Sequence, residues 1–226
     1  MTLLVADNLS KTFFTPTPVV VLKKVSIEIK QGQSVAILGK SGEGKTTLLH
    51  ILGTLEDPTS GSLFIAGINA CSASKSKLRS NKIGFVFQNY NLLDDYTVLE
   101  NVLLPASIAG HPTHKGSLAY LRAEELLDEI GLTPRKHFLA KLLSGGEKQR
   151  AAIARALQND PDLILADEPS GNLDHTHSQA IYTLLLKAAK KKGKALVVVT
   201  HDKDLANLCD VQYALADGEL TCICSS

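Results

Sequence analysis

Lys45 and Thr46 close the run Gly39-Lys40-Ser41-Gly42-Glu43-Gly44-Lys45-Thr46-Thr47, whose spacing suits a loop wrapped around a chain of phosphates. The run satisfies G-x-x-x-x-G-K-[ST] at every fixed position. Its glycines let backbone N–H groups turn inward without a Cβ in the way, and the N-terminus of a following helix adds its positive end. In such a loop the Lys45 ammonium reaches the β- and γ-phosphates and the Thr46 hydroxyl serves a Mg²⁺ ion. Glu43 sets a carboxylate in a loop built for anions. Its side chain is expected to point to solvent while its N–H points inward, at no more than a modest cost in nucleotide affinity.

A second source of chemistry is Asp162-Leu163-Ile164-Leu165-Ala166-Asp167-Glu168-Pro169, an apolar run ending in two adjacent carboxylates. A strand there delivers both acids at its C-terminal end, where α/β sheets bind ligands. Neighbouring strand residues point to opposite faces, so one carboxylate can hold the metal while the other faces the attacking water; we assign Asp167 to the metal and Glu168 to the water. The strand Ala195-Leu196-Val197-Val198-Val199 ends in Thr200-His201-Asp202, so His201 reaches the same sheet edge and is a candidate γ-phosphate contact. The third feature is Leu143-Ser144-Gly145-Gly146-Glu147. Alone it reads as a helix N-cap and turn before a helix from Glu147 to Leu157. Set between a phosphate loop and an acidic strand end, it reads as a second helix N-terminus offered to an anion.

These groups need particular elements beneath them. Ser34 to Leu38 is a short buried strand leading into the loop, and Leu48, Leu49, Ile51 and Leu52 recur at helical spacing after it. Ile83-Gly84-Phe85-Val86-Phe87 is a further strand, ending at Gln88. Val5 to Ile29 reads as strands around a Thr15-Pro16-Thr17-Pro18 turn. From about Tyr90 to Asn159 the pattern changes. Ala119, Ala123, Leu126 and Ile130 form an apolar stripe stopped by Gly131, and Asn89 to Val98 is loop-like with apolar Tyr90, Leu92 and Leu93. The fold class is therefore α/β, a phosphate-loop nucleoside-triphosphatase core, and 226 residues suit one domain.

Composition excludes other classes. A formal net charge of +1 leaves no basic footprint for nucleic acid, and Lys190-Lys191-Lys192 suits a solvated helix end. No apolar stretch approaches the roughly 18 residues needed to span a bilayer, and Met1-Thr2-Leu3-Leu4 lacks the features of a signal peptide. Cys71, Cys209, Cys222 and Cys224 lack zinc-site spacing and read as reduced thiols. The pairs His111/His114 and His175/His177 lack further ligands for a metal.

Taken together, the motifs make the chain similar to the nucleotide-binding subunits of ATP-binding-cassette (ABC) transporters over essentially its whole length. The resemblance makes Gly39 to Thr47 the Walker A loop, Leu163 to Asp167 Walker B, Glu168 the general base, Leu143 to Glu147 the signature and His201 the switch histidine. It implies that Gln88 links Mg²⁺ to a transmembrane partner, that Ser170-Gly171-Asn172-Leu173-Asp174 is the D-loop with Asp174, and that Phe13 or Phe14 stacks on adenine, with Phe13 preferred. It further implies an N-terminal antiparallel β subdomain, a core of residues 1–89 and 160–226, and an inserted helical subdomain over about 90–159 with a partner groove near Gln88. In that family the signature acts on ATP held by the other subunit, so the implied assembly is a homodimer with two ATP sandwiched and Mg²⁺ as cofactor. Leu49-His50-Ile51-Leu52-Gly53, Phe85-Val86-Phe87-Gln88 and Gly171-Asn172-Leu173-Asp174 resemble the LolD, MacB and FtsE group. The implied activity is ATP hydrolysis on the cytoplasmic side of the inner membrane, coupled through integral membrane subunits to lipoprotein release. Signalling to cell-wall machinery, as in FtsE, and export, as in MacB, are the alternatives, and the lack of a fused membrane part favours the first two types. Glu43, Ser170 and the Gly39-Lys40 pair depart from the group pattern without removing a catalytic group.

Overall fold

Val197 and Val199 pack into one hydrophobic core while Leu196 and Val198, between them in sequence, pack into another, because successive strand side chains leave by opposite faces. A strand buried on both faces reads as an unbroken apolar run. That is the pattern of β8 (Ala195–Thr200) and β7 (Leu163–Asp167), which are buried at every position. The computed structural model describes residues 1–14, 16–170, 175–191 and 193–225, and among these the strands form two sheets.

The larger sheet runs β10-β9-β3-β8-β7-β6, with β3 at Ser34–Leu38, β6 at Ile83–Val86, β9 at Val211–Ala216 and β10 at Glu219–Ser225. Every pairing from β9 to β6 is parallel, and β10 closes one edge antiparallel. The register aligns Leu38 with Thr200 and Asp167 with Val199, so the segments after β3, β7 and β8 leave the sheet at one edge. The smaller sheet, β2-β1-β4-β5, is antiparallel and is built from β1 (Thr2–Phe13), β2 (Val19–Lys30), β4 (Ser60–Ile65) and β5 (Ile68–Asn69). This bears out the expected α/β core with an N-terminal antiparallel unit.

One core lies between the small sheet, one face of the parallel sheet and the helix α1 (Lys45–Leu52). The other face is covered by α3 (Val98–Ile108), α4 (Leu118–Glu129), α5 (Gly145–Leu157) and α6 (His175–Lys191), and α2 (Lys75–Lys82) and α7 (Lys203–Asn207) flank the sheet. The apolar stripe closed by Gly131 is α4, with Ala123, Leu126 and Ile130 buried. Two expected boundaries shift. β6 stops at Val86, two residues before Gln88, and α5 begins at Gly145 rather than Glu147 because Ser144 takes the N-cap position. Helix α5 lies so close to β6 that a Cβ on Gly84 would stand 2.3 Å from the Ala156 carbonyl oxygen, so this contact admits only glycine. Among the described residues no helix is long and apolar enough to cross a membrane.

Candidate active site

The loop between β3 and α1 is held open by backbone alone. Gly44, the N-cap of α1, has φ +94° and provides no side-chain cap. A Cβ there would also stand 2.6 Å from Val21 Cγ1, so both conformation and space require glycine. Lys45 is buried, and its Nζ donates to the Gly39 and Lys40 carbonyl oxygens at 2.8 and 3.0 Å. The ammonium is thus anchored at the loop's own mouth, 3.8 Å from Glu168 Oε1.

Glu43 takes a different course from the expected one. Its N–H donates to the Lys40 carbonyl (3.4 Å) and its Oε2 accepts from Lys40 N at 2.7 Å. The carboxylate therefore braces the turn from behind and does not line the phosphate cavity. A glutamate is tolerated because its charge is spent on an amide of the loop itself.

Asp167 ends β7 and accepts from Thr46 Oγ1 at 3.2 Å. Burial pushes its carboxyl above the ordinary range, and the Thr46 hydroxyl offsets this in part. The adjacent acid reaches the site for a reason other than strand alternation. Strand β7 has ended, and Glu168 turns back with φ +41°, a left-handed conformation that is costly for a non-glycine residue and persists only where surroundings fix it. Its N–H donates to the Val199 carbonyl (3.0 Å), while Oε2 accepts from Thr200 Oγ1 (3.3 Å), His201 N (3.4 Å) and His201 Nδ1 (2.9 Å). Both acids thus approach the loop from the same side.

A cavity of about 570 Å³ joins Ser41, Gly42, Gly44, Lys45, Thr46 and Thr47 to Gln88, Glu168 and His201. Val21 of β2 also lines it. Sequence reading missed Val21, since a valine in an alternating strand carries no chemical mark. Gly39 and Lys40 lie behind the cavity as the carbonyls that hold Lys45. The Thr46 hydroxyl beside the Asp167 carboxylate, with Gln88 on the same wall, is a set of hard oxygen donors. With phosphate oxygens it fits a Mg²⁺ ion, and burial is what raises the Asp167 carboxyl in this set.

Some expected residues lie elsewhere. Phe13 ends β1, 40% exposed, with Lys11 Nζ 4.8 Å from its ring centre, and Phe14 is 67% exposed. Neither lines the cavity. The signature residues also lie outside it. Ser144 and Glu147 form a capping box: Ser144 Oγ accepts from Glu147 N at 3.4 Å and Glu147 Oε2 accepts from Ser144 N at 2.8 Å. The Ser144 amide holds the Glu147 carboxyl below its ordinary range. Asp174 and the rest of its loop, 171–174, fall outside the described residues.

Beside Gln88 a second cavity of about 430 Å³ runs between β6, α3 and α5, lined by Phe85, Phe87, Leu104, Ile108, Asn91 and Arg155 among others. Of the segment 89–98, Asn91 lines it and Tyr90, Leu92 and Leu93 do not. Tyr90 and Asn91 have φ +61° and +50°, and the Arg155 guanidinium donates to both of their carbonyl oxygens. Burial lowers that guanidinium's pKa to about 10. Asn101, fully buried in α3, accepts from Leu93 N and donates to the Leu93 and Thr97 carbonyls. Neither Arg155 nor Asn101 was found by sequence reading. The available signal was an amide on the buried face of an apolar helix.

Residues 22–171 match the family described as ABC transporter. The chain is 54% identical over 216 residues to the lipoprotein-releasing system ATP-binding protein LolD of Protochlamydia amoebophila, covering 96% of this chain and 95% of that one. It is 47% identical to the protein of the same name from Bacteroides fragilis, with 88% and 93% covered. Among solved structures it is similar to a dimeric bacterial ABC transporter cassette, MJ0796 (40% identity, TM-score 0.88, 96% of each chain). It is also similar to the dimeric post-hydrolysis state of that cassette bound to ADP and Pi (38% identity, TM-score 0.89, 99% and 100% covered).

Proposed function

The chain belongs to the ABC transporter family, and from that premise we propose that it is the ATP-binding and ATP-hydrolysing subunit of a membrane complex that releases lipoproteins from the inner membrane. The observation that carries the ATPase reading is the meeting of Lys45, Thr46, Asp167, Glu168 and His201 at one sheet edge. The lipoprotein reading is supported by relatives that bear that name over nearly their whole length.

ATP enters as substrate with its phosphates on the loop amides and on Lys45. The ammonium then exchanges its carbonyl partners for phosphate oxygens, a charge-assisted and stronger pairing. Thr46, Asp167 and Gln88 would hold Mg²⁺, which when bound neutralises charge on the β- and γ-phosphate oxygens. Glu168 orients the attacking water and takes its proton. His201, released from Glu168, contacts the γ-phosphate. Ser144, Gly145 and Gly146 complete the site of a second copy, so that two chains sandwich two ATP molecules. Phe13 reaches the adenine from the end of β1, and Asp174 belongs to the loop that meets the second copy. The groove beside Gln88 receives the integral membrane subunits, with the chain peripheral on the cytoplasmic face. Residues 90–159 act as a helical unit moving against the core formed by 1–89 and 160–226.

The test is Glu168→Gln, which should abolish turnover and keep Mg-ATP binding. Used as bait on detergent-solubilised native membranes, that form should retain a membrane protein of few spans together with lipoprotein. Persistent hydrolysis by the variant would reject Glu168 as the base, and capture of cell-wall hydrolase regulators would replace lipoprotein release by signalling.

A further inference from the structure

The strained backbone of Glu168 raises the question of what fixes it. One anchor is a backbone bond to the neighbouring strand, from Glu168 N to Val199 O. The second runs through a side chain that no motif includes. Tyr182, on α6, is fully buried, and its hydroxyl bonds to Ser170 Oγ on one side and donates to Asp202 Oδ2 at 2.5 Å on the other. Ser170 lies two residues after Glu168, and Asp202 immediately follows His201.

Asp202 is itself fully engaged. Its Oδ1 accepts from Asp204 N (2.7 Å) and Leu205 N (3.4 Å) as the N-cap of α7, and its own N–H donates to Thr200 Oγ1 at 3.0 Å. Thr200 Oγ1 in turn donates to Glu168 Oε2. A continuous chain of hydrogen bonds therefore leaves Ser170, passes through Tyr182 and Asp202, and returns through Thr200 to the carboxylate of Glu168. Burial pushes Asp202 up, but its donors, led by Tyr182, outweigh this and hold its carboxyl below the ordinary range. Burial and the Asp202 bond push the Tyr182 phenol up to about 12, so the hydroxyl keeps its proton and remains a donor at any physiological pH.

We propose that Tyr182 is a positioning residue for hydrolysis: its hydroxyl ties the segment after Glu168 to the segment after His201, holding the base and the imidazole in register. A backbone in a sparsely populated conformation needs such over-determination, and the tie acts on the two groups that meet the attacking water and the γ-phosphate. This rests on the ATPase reading above. A threonine at position 170 would carry the same hydroxyl, so either residue type serves the tie.

Steady-state hydrolysis of Mg-ATP by the full chain tests it, with nucleotide binding followed separately. Tyr182→Phe keeps the ring and removes the hydroxyl. It should lower kcat by about ten- to a hundredfold, as expected for a misplaced reacting group, with KM for ATP within about twofold of wild type. Ser170→Ala should lower kcat less, and Ser170→Thr should restore it. A purely structural role would move kcat, KM and nucleotide affinity together and would not be rescued by threonine. Unchanged kcat in Tyr182→Phe would overturn the proposal. If that variant does not fold, equal kcat in Ser170→Ala and Ser170→Thr would overturn it instead. A wild-type chain that binds Mg-ATP without turnover would reject the ATPase reading, an outcome distinct from either.

Discussion

Two helices of this chain begin in serine- and glycine-containing loops, and their first turns are finished in opposite ways. Helix α1 has Gly44 at its N-cap and no side-chain cap. Helix α5 is capped by Ser144 with both halves of a capping box in place. Orphan N–H groups at a helix start need partners, and α1 leaves its own for a phosphate whereas α5 engages Ser144 N and Glu147 N with its own side chains but not Gly145 or Gly146. The first terminus is therefore open to an anion, and the second is stable without ligand and offers its glycine amides, its serine hydroxyl already donating to Glu147 Oε2. The division matches the proposed roles: one loop binds ATP in every state, and the other engages only when a second copy brings a γ-phosphate to it.

The strongest way to break this comparison is Lys45→Ala. Losing charged hydrogen bonds to phosphate should weaken ATP binding by about 3 kcal/mol, roughly a hundredfold in Kd, measured by titration of the isolated chain with a fluorescent nucleotide. Ser144→Ala should instead leave that Kd unchanged, lower turnover by about tenfold through loss of a transition-state donor, and cost about 1 kcal/mol of stability through loss of the cap. A fall in the isolated chain's ATP affinity would place the signature in its own subunit's site.

Asp167 sharpens the comparison from the metal side. Its folded pKa is raised above the ordinary 3.8, so the protonated acid favours the fold, and that contribution is complete below 3.8 and lost as pH rises through the folded value. Asp167→Asn should therefore raise the thermal midpoint of the nucleotide-free chain at neutral pH and leave it unchanged in strong acid, while abolishing Mg²⁺-dependent turnover. Calorimetry across pH reads the first and a phosphate assay the second. The smallest effect is expected at Glu43. Because its carboxylate satisfies Lys40 N, Glu43→Ala should weaken ATP binding by about 0.5–1 kcal/mol. Tighter binding would mean that the charge repels phosphate after all.

Lys45, Thr46, Glu168 and His201 were legible because their types and spacings carry chemistry, and the strands beneath them because burial on both faces leaves unbroken apolar runs. The reason given for the two acids was wrong, since alternation ends with the strand and a left-handed Glu168 replaces it; backbone strain leaves no trace in residue type. Val21, Arg155 and Tyr182 were illegible for a related reason. Each acts through contacts between segments remote in sequence, such as Arg155 with Tyr90 and Asn91 or Tyr182 with Asp202. Glu43 was visible as an oddity, but only the fold shows that its carboxylate accepts from the Lys40 amide.

The most direct test of the central claim, a site completed by a second copy, is complementation between two inactive chains. Lys45→Ala disables the phosphate loop and Ser144→Arg blocks the signature, so a mixed pair contains one site with both elements intact. The account predicts that each variant alone is inactive and that mixing restores turnover, to about a quarter of wild type if chains pair at random. A mixture no more active than its separate components would contradict it.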